Sequence, residues 1–221
     1  SGYTIIPTYL NEKALPHVKE VTDQLGVDEL YPFKVGNTDQ LDALINTLQR
    51  KGQRIDAFVH GIAFASEIRK DLHEVSWHSF KESTRVSAFS MVEISGHLLD
   101  VLNEESSIWS ISLRWSRVAV PGYNIVGATK AGLESMIRGL AESLGEVKQI
   151  RVNGISPGFV PTCSLTKIGN SLDTLEREKD RSPLGRNVRK EDIASFAVSI
   201  LENNSITSMI FPVDAGVGIM G

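Results

Sequence analysis

The amino-acid sequence predicts an α/β protein, a doubly wound parallel sheet forming one domain over residues 1–221. Apolar, β-branched runs of strand length alternate with segments whose apolar residues recur near a 3.6-residue period, which is the pattern of strands buried under helices on both faces. The length fits one ordinary domain with a substantial core.

Residues 3–10 are β-branched and apolar and read as a buried strand. Asn11 can cap the helix that follows, where Leu15, Val18, Val21, Thr22 and Leu25 share a face. Residues 29–35 form a short strand, and Asn37 or Thr38 caps a second helix through Leu41, Leu44, Ile45 and Leu48. A strand is expected over 55–65, a long helix over 77–102 and a strand over 108–113. A helix over 123–144, a strand over 150–155, a helix over 191–201 and a last strand over 209–213 complete the series. Residues 163–190 are the one long irregular segment, and loops of that length are usually lids or disordered.

Composition narrows the function class. A hydrophobic fraction of 41% with 23% charged residues is that of a soluble globular protein. A net charge of −4 offers no electrostatic footprint for nucleic acid, and no basic run suggests a membrane surface. The longest apolar stretch, near 57–65, is interrupted by His60 and is too short to span a bilayer. Cys163 is the only cysteine, which excludes an internal disulfide and suits a reducing, cytoplasmic compartment. The five histidines form no metal-ligand spacing.

Tyr123 and Lys130 are the most suggestive pair. Seven residues on a helix turn through about 700°, so the two side chains differ in direction by about 20° and lie roughly 10 Å apart along the axis. A phenol and an ammonium so placed can act on one bound molecule, the cation making the phenol a better donor to an oxygen gaining charge. Spacing alone is weak, because such pairs also occur by chance on surfaces.

Their surroundings carry a family resemblance. Phe58-Val59-His60-Gly61-Ile62-Ala63-Phe64-Ala65, Pro121-Gly122-Tyr123-Asn124 through Lys130-Ala131, Ile150-Arg151-Val152-Asn153-Gly154-Ile155-Ser156-Pro157-Gly158 and Val213-Asp214-Ala215-Gly216 resemble the enoyl-acyl-carrier-protein reductases. These are a divergent branch of the Rossmann-like short-chain dehydrogenase/reductases. Thr8-Tyr9-Leu10-Asn11-Glu12 is similar to that family's second strand and turn. The resemblance implies reduction of an enoyl thioester, carried by acyl-carrier protein or CoA, with NADH or NADPH in fatty acid biosynthesis. It casts Tyr123 as the hydrogen-bond donor to the thioester carbonyl, Lys130 as the group holding the nicotinamide ribose, and Ser112 as a serine lining the site. It places Val35, Gly61, Ile62, Ala63, Gly158, Val160 and Thr162 against the cofactor, makes 163–190 the substrate lid, and implies a homotetramer packed through the two long helices.

Three departures stand beside that resemblance. The family's first strand and Gly-rich phosphate turn have no counterpart, since Tyr3 already begins the second strand. Truncation, supply by another chain and a rearranged fold are the explanations weighed, with truncation favoured. Leu113 stands where many members carry a second tyrosine, ten residues before Tyr123, and is followed by Arg114-Trp115-Ser116-Arg117. Lys34 takes the place of an acidic residue that meets the adenine.

Other readings remain open at this stage: a short-chain reductase of another carbonyl or enone, or a cofactor-free, non-catalytic homologue. Ser112 could satisfy local backbone groups, and Gly61 and Gly158 could serve tight packing. His60 reads as a hydrogen-bonded core histidine, Cys163 as a lid residue, the tryptophans as packing groups, and 176–181 as a solvated helical face.

Overall fold

The structure, a computed structural model, describes residues 2–119, 123–161 and 171–220. These form two compact units, residues 1–55 with 93–102, and residues 56–92 with 103–221.

In the first unit, strands β1 (Thr8–Tyr9) and β2 (Tyr31–Pro32) pair in parallel, Thr8 with Tyr31 and Tyr9 with Pro32. Both are far shorter than the expected strands over 3–10 and 29–35. A strand persists only where its backbone groups find partners, and Tyr3 and Ile5 are exposed. Helix α1 (Leu15–Asp23) buries only Thr22, leaving Val21 and Leu25 in solvent. Asn11 caps the turn ahead of it, its side chain accepting from the Ala14 amide at 3.1 Å. Helix α2 (Thr38–Arg50) forms as expected: Asn37 accepts from the Gln40 amide, and Leu41, Leu44, Ile45 and Leu48 are buried.

The other four strands run in the order β3 (Ile55–His60), β4 (Leu102–Ile111), β5 (Arg151–Pro157) and β6 (Ile210–Val213). Strands β4 and β5 are parallel with Ser107 opposite Arg151 and Ile111 opposite Ile155. β5 and β6 are parallel with Gly154 opposite Ile210. Successive residues of a strand face opposite sides, and β5 shows what covers each. On one side Ile155 joins Trp109 in a core with Ala197 and Ile200 of the helix Lys190–Glu202. On the other, a Cβ on Gly154 would lie 3.0 Å from Ile137 of the helix Asn124–Lys148, so the missing side chain is what lets that helix approach. The sheet is covered by helices on both faces.

The long helix expected over 77–102 is interrupted. It divides into α3 (Trp77–Thr84), a π-helical turn (Arg85–Phe89) and α4 (Ser90–Leu98), with Leu102 already in β4. Helix α5 (Asn124–Lys148) is the longest. Residues 162–170 lie outside the described part, but the irregular segment expected over 163–190 contains helix α6 (Ser171–Arg181) before α7 (Lys190–Glu202).

Several residues of the recurring motifs hold this framework. The buried Arg151 guanidinium donates to the carbonyls of Ile200, Leu201 and Asn203, capping the C-terminal end of α7. The Asn153 amide donates to the Ile206 carbonyl and accepts from the Met209 amide, fixing the loop into β6. Asp214 accepts from the amides of Gly216 and Gly218, shaping the turn after β6.

Candidate active site

The site is assembled where β4 ends and α5 begins. After Ile111 the chain passes through Ser112 and Leu113 into a single 3-10 turn, Arg114–Ser116. Three groups fix that turn. The Ser112 and Ser116 hydroxyls each donate to the same Glu134 oxygen at 2.6 Å, and Arg117 lies 3.6 Å from the other oxygen. Arg114 donates to the Val217 carbonyl at 3.2 Å and to Glu178 of α6 at 3.1 Å, in a largely buried ion pair. The Trp115 carbonyl lies so close to α5 that a Cβ on Gly127 would sit 2.5 Å from its oxygen. Gly127→Ala is therefore expected to cost roughly 1–3 kcal/mol, read in thermal unfolding as a midpoint about 2–4 °C lower per kcal/mol.

Tyr123 is the N-cap of α5, at φ −139° and ψ 10°, and not a residue of the helix. Its side-chain direction consequently departs from the helical projection that pairs it with Lys130 in sequence. Its ring lies 4.1 Å from the Trp115 indole at an interplanar angle of 49°, and that indole in turn lies 5.1 Å from the Phe159 ring. The phenolic hydroxyl is shielded from solvent and has no hydrogen-bond partner among the described residues. Burial pushes the phenol up from its ordinary pKa, opposed by a smaller effect of the Arg69 charge.

Lys130 is 3% exposed. Its ammonium donates to the Ile111 carbonyl at 2.7 Å, at the end of β4, and to the Ser87 carbonyl at 3.4 Å in the π-helical turn. Burial without an opposing charge lowers it to about 8. An ammonium has three donors, and these two contacts are the ones placed among the described residues. Among the described residues, the phenol is dry and without a partner, and the buried cation is held by carbonyl dipoles.

Ser87 is the residue that sequence reasoning missed. Its hydroxyl donates to the Phe64 carbonyl at 2.9 Å and accepts from the Phe64 amide at 2.8 Å, while its own carbonyl meets Lys130. It thereby ties the loop after β3 to the lysine. A π-helical turn spaces its carbonyls differently from an α-helix and often marks functional positions, but the run Arg85-Val86-Ser87-Ala88-Phe89 has no residue that announces one. Glu134 was also missed, although it lies one turn beyond Lys130.

Beneath these groups His60 is fully buried, its Nδ1 2.8 Å from Ser110 Oγ and its Nε2 2.8 Å from Ser90 Oγ. Ser110 also faces the His60 carbonyl at 3.0 Å and Ser90 the Val86 carbonyl at 2.8 Å. Two hydroxyl protons and one ring proton serve four contacts when the ring is neutral. Protonation would complete the set, but burial and then the Lys130 charge lower the pKa to about 3. Between pH 6.5 and 3 the unfolded chain binds this proton and the native protein does not, so stability falls on acidification. The expected loss between pH 6.5 and 5 is roughly 2 kcal/mol, measurable as the wild-type excess over His60→Asn in urea unfolding at the two pH values.

The residues expected to meet a cofactor are distributed as follows. Gly61, Ile62 and Ala63 follow the end of β3, and a Cβ on Gly61 would meet nothing within 4 Å, so its surroundings are open. Gly158 is different: a Cβ there would lie 3.0 Å from the Asp214 Cα, so close packing alone requires glycine. Val160 is half-buried near Phe159 in the chain. Val35 is half-buried after β2 in the first unit, and Thr162 lies outside the described residues with Cys163. Ser112 is fully buried, and its hydroxyl donates to Glu134. Glu178 is buried against Arg114, so residues 176–181 are not a wholly solvated face.

Comparison with known proteins places the chain. Residues 1–218 match the family model described as enoyl-(acyl carrier protein) reductase. The NADH enoyl-acyl-carrier-protein reductase FabI of Nostoc sp. is 33% identical, the match covering 100% of this chain and 88% of that protein. FabI of Rickettsia felis is 31% identical over 97% of this chain and 84% of its own. Among solved structures, the Aquifex aeolicus enoyl-acyl-carrier-protein reductase superposes with a TM-score of 0.90 at 28% identity, covering 97% of this chain and 85% of that one. The Bacillus cereus enoyl-acyl-carrier-protein reductase, solved with NADP+ and an indole naphthyridinone, gives 0.91 at 29% identity, covering 98% and 86%.

Proposed function

Because the chain belongs to the enoyl-(acyl carrier protein) reductase family, we propose that it reduces the carbon–carbon double bond of an enoyl thioester, with NADH or NADPH, in fatty acid biosynthesis. The observation that carries this reading is the solvent-shielded Tyr123 hydroxyl that no described residue satisfies. A buried polar group without a partner is costly, and a substrate oxygen is the partner it lacks.

The residues present suit a nicotinamide cofactor. Lys130 offers a buried ammonium with no opposing charge, and the face beside Gly61, Ile62 and Ala63 is open. These groups, with Gly158 and Val160, would hold the dinucleotide. When bound, a nicotinamide cofactor would supply the hydride for the reduction, and solvent water the proton that completes the α-carbon.

The chain's own residues supply the rest. Tyr123 donates to the thioester carbonyl oxygen, and that hydrogen bond strengthens as the oxygen gains enolate charge, which stabilises the transition state more than the ground state. Burial of the hydroxyl keeps water from competing for it. Ser87 and Ile111 fix the height of the Lys130 ammonium through their carbonyls. Leu113 has no proton to give, so Tyr123 is the donor. Spectrophotometric assay of NADH and NADPH oxidation with a crotonyl thioester tests the reading, and the absence of any thioester-dependent oxidation would overturn it.

The proposal extends to a cytoplasmic homotetramer acting on substrates carried by acyl-carrier protein or CoA, and to one domain over residues 1–221. Its support is the resemblance to that family. Light scattering at four times the chain mass and one cooperative thermal transition are the expected results.

A further inference from the structure

We propose that Glu134 is a positioning residue for Lys130: its carboxylate grips the Ser112 hydroxyl and thereby fixes the peptide whose carbonyl holds the ammonium. The consequence for cofactor binding rests on the enoyl reductase function proposed above, whereas the positioning is a property of the protein alone.

Glu134 lies four residues beyond Lys130 on α5, so the two share one helical face, and both are buried, at 7% and 3% exposure. They nonetheless engage different partners. Lys130 donates to the carbonyls of Ile111 and Ser87. Glu134 accepts from the hydroxyls of Ser112 and Ser116, with Arg117 at its other oxygen. Both hydroxyl bonds are 2.6 Å long. That length is typical of charge-assisted hydrogen bonds, which are about twice as strong as neutral ones.

The two sets of partners meet in a single peptide unit. The Ile111 carbonyl and the Ser112 amide belong to one rigid plane. The carbonyl accepts from Lys130 at 2.7 Å, and the amide donates to the Ile155 carbonyl of β5 at 2.7 Å. A plane held at two points can still turn about the line that joins them. The bond from the Ser112 side chain to Glu134 supplies a third point off that line and stops the turn. The direction of the Ile111 carbonyl matters because a buried ammonium depends on the dipoles that replace its water, and a dipole turned aside no longer offsets burial. Ser116 draws on the same Glu134 oxygen, but it belongs to the 3-10 turn and not to the peptide that meets Lys130.

The test separates the tie from the charge in the full-length protein. Ser112→Ala cuts the tie and keeps the carboxylate. Glu134→Gln keeps an accepting oxygen and removes the charge. Ser116→Ala removes an equal hydrogen bond outside the path to Lys130. Two quantities are read for each: NADH affinity by calorimetry and, without cofactor, the pH at which the Lys130-linked gain in stability begins, by urea unfolding. In the wild-type protein that gain begins near pH 8, where Lys130 titrates. His60, which feels the Lys130 charge, titrates far below this pH, and burial pushes the Tyr123 phenol above its ordinary value of 10. Ser112→Ala is expected to bind NADH about three- to tenfold more weakly. Its stability gain is expected to begin about half a pH unit or more lower, because an ammonium that loses its acceptor gives up its proton more easily. Glu134→Gln and Ser116→Ala are expected to stay near the wild-type values in both readouts, whatever their effect on overall stability. The assignment is overturned if Ser112→Ala matches the wild-type protein, if Ser116→Ala shifts as far, or if Glu134→Gln shifts further. Failure of the wild-type protein to bind NADH overturns the reductase reading instead, and the cofactor-free pH onset then decides the positioning by itself.

Discussion

Tyr123→Phe lowers kcat for an enoyl thioester by about a hundredfold or more and does not reduce stability. The two effects separate because the hydroxyl has no partner among the described residues. Removing a buried polar atom that makes no hydrogen bond relieves a desolvation penalty and breaks no contact. The phenylalanine ring keeps the same contact with Trp115. Steady-state kinetics and thermal unfolding on the same preparation check both halves. Most substitutions that abolish activity by damaging structure lower the unfolding midpoint, so an inactive variant of equal or higher stability isolates the phenol's chemistry.

Lys130 produces opposite pH trends in activity and stability. Its ammonium titrates at about 8 in the native protein, against an ordinary value of 10.5. Below pH 8 both native and unfolded chains carry the proton, and stability has no slope from this group. Between 8 and 10.5 only the unfolded chain binds it, so raising the pH stabilises the native protein by roughly 1.4 kcal/mol per unit. Above 10.5 both are neutral and the slope vanishes. The charged form is the one proposed to hold the cofactor, so kcat/KM for NADH falls about tenfold per unit above pH 8. Lys130→Met is expected to lose cofactor affinity by tenfold or more and to abolish the stability gain over that window. Calorimetric titration with NADH and urea unfolding at pH 8 and 10 measure these effects.

What the sequence made legible is what local chemistry determines. Helix α2 carries its own instructions: a capping Asn37 and four apolar residues at helical spacing, all buried as expected. The alternation of strands and helices around β4, β5 and β6 follows from continuous apolar runs, with Gly154 and Ile155 facing opposite helices. Strands β1 and β2 were overextended because a β-branched run shows a preference for strand and not the length over which a neighbour pairs with it. The π-helical turn escaped because it shifts hydrogen-bond spacing without a residue that demands it.

The site was legible in part for the same reason. Tyr123 and Lys130 stand out as residue types, but the N-cap geometry of Tyr123 depends on the backbone leading into α5. Ser112 reads in sequence as a lining residue, and only the fold shows Glu134 2.6 Å from its hydroxyl. Arg151, Asn153 and Asp214 lie in motifs that resemble functional signatures, and each is occupied with backbone groups that hold the sheet and its loops. Trp115 reads in sequence as a departure and a packing group, whereas the fold sets its indole against the Tyr123 ring, eight residues on, and its carbonyl against Gly127, twelve residues on.

The most direct measurement follows the hydrogen itself. The full-length protein is incubated with crotonyl thioester and nicotinamide cofactor deuterated at the transferable position, and the product is read by NMR. The account predicts a butyryl thioester with one deuterium at the β-carbon in the wild-type protein and almost none in Tyr123→Phe. Deuterium on a carbonyl-derived alcohol carbon, or none transferred to the thioester although the cofactor binds, would contradict it.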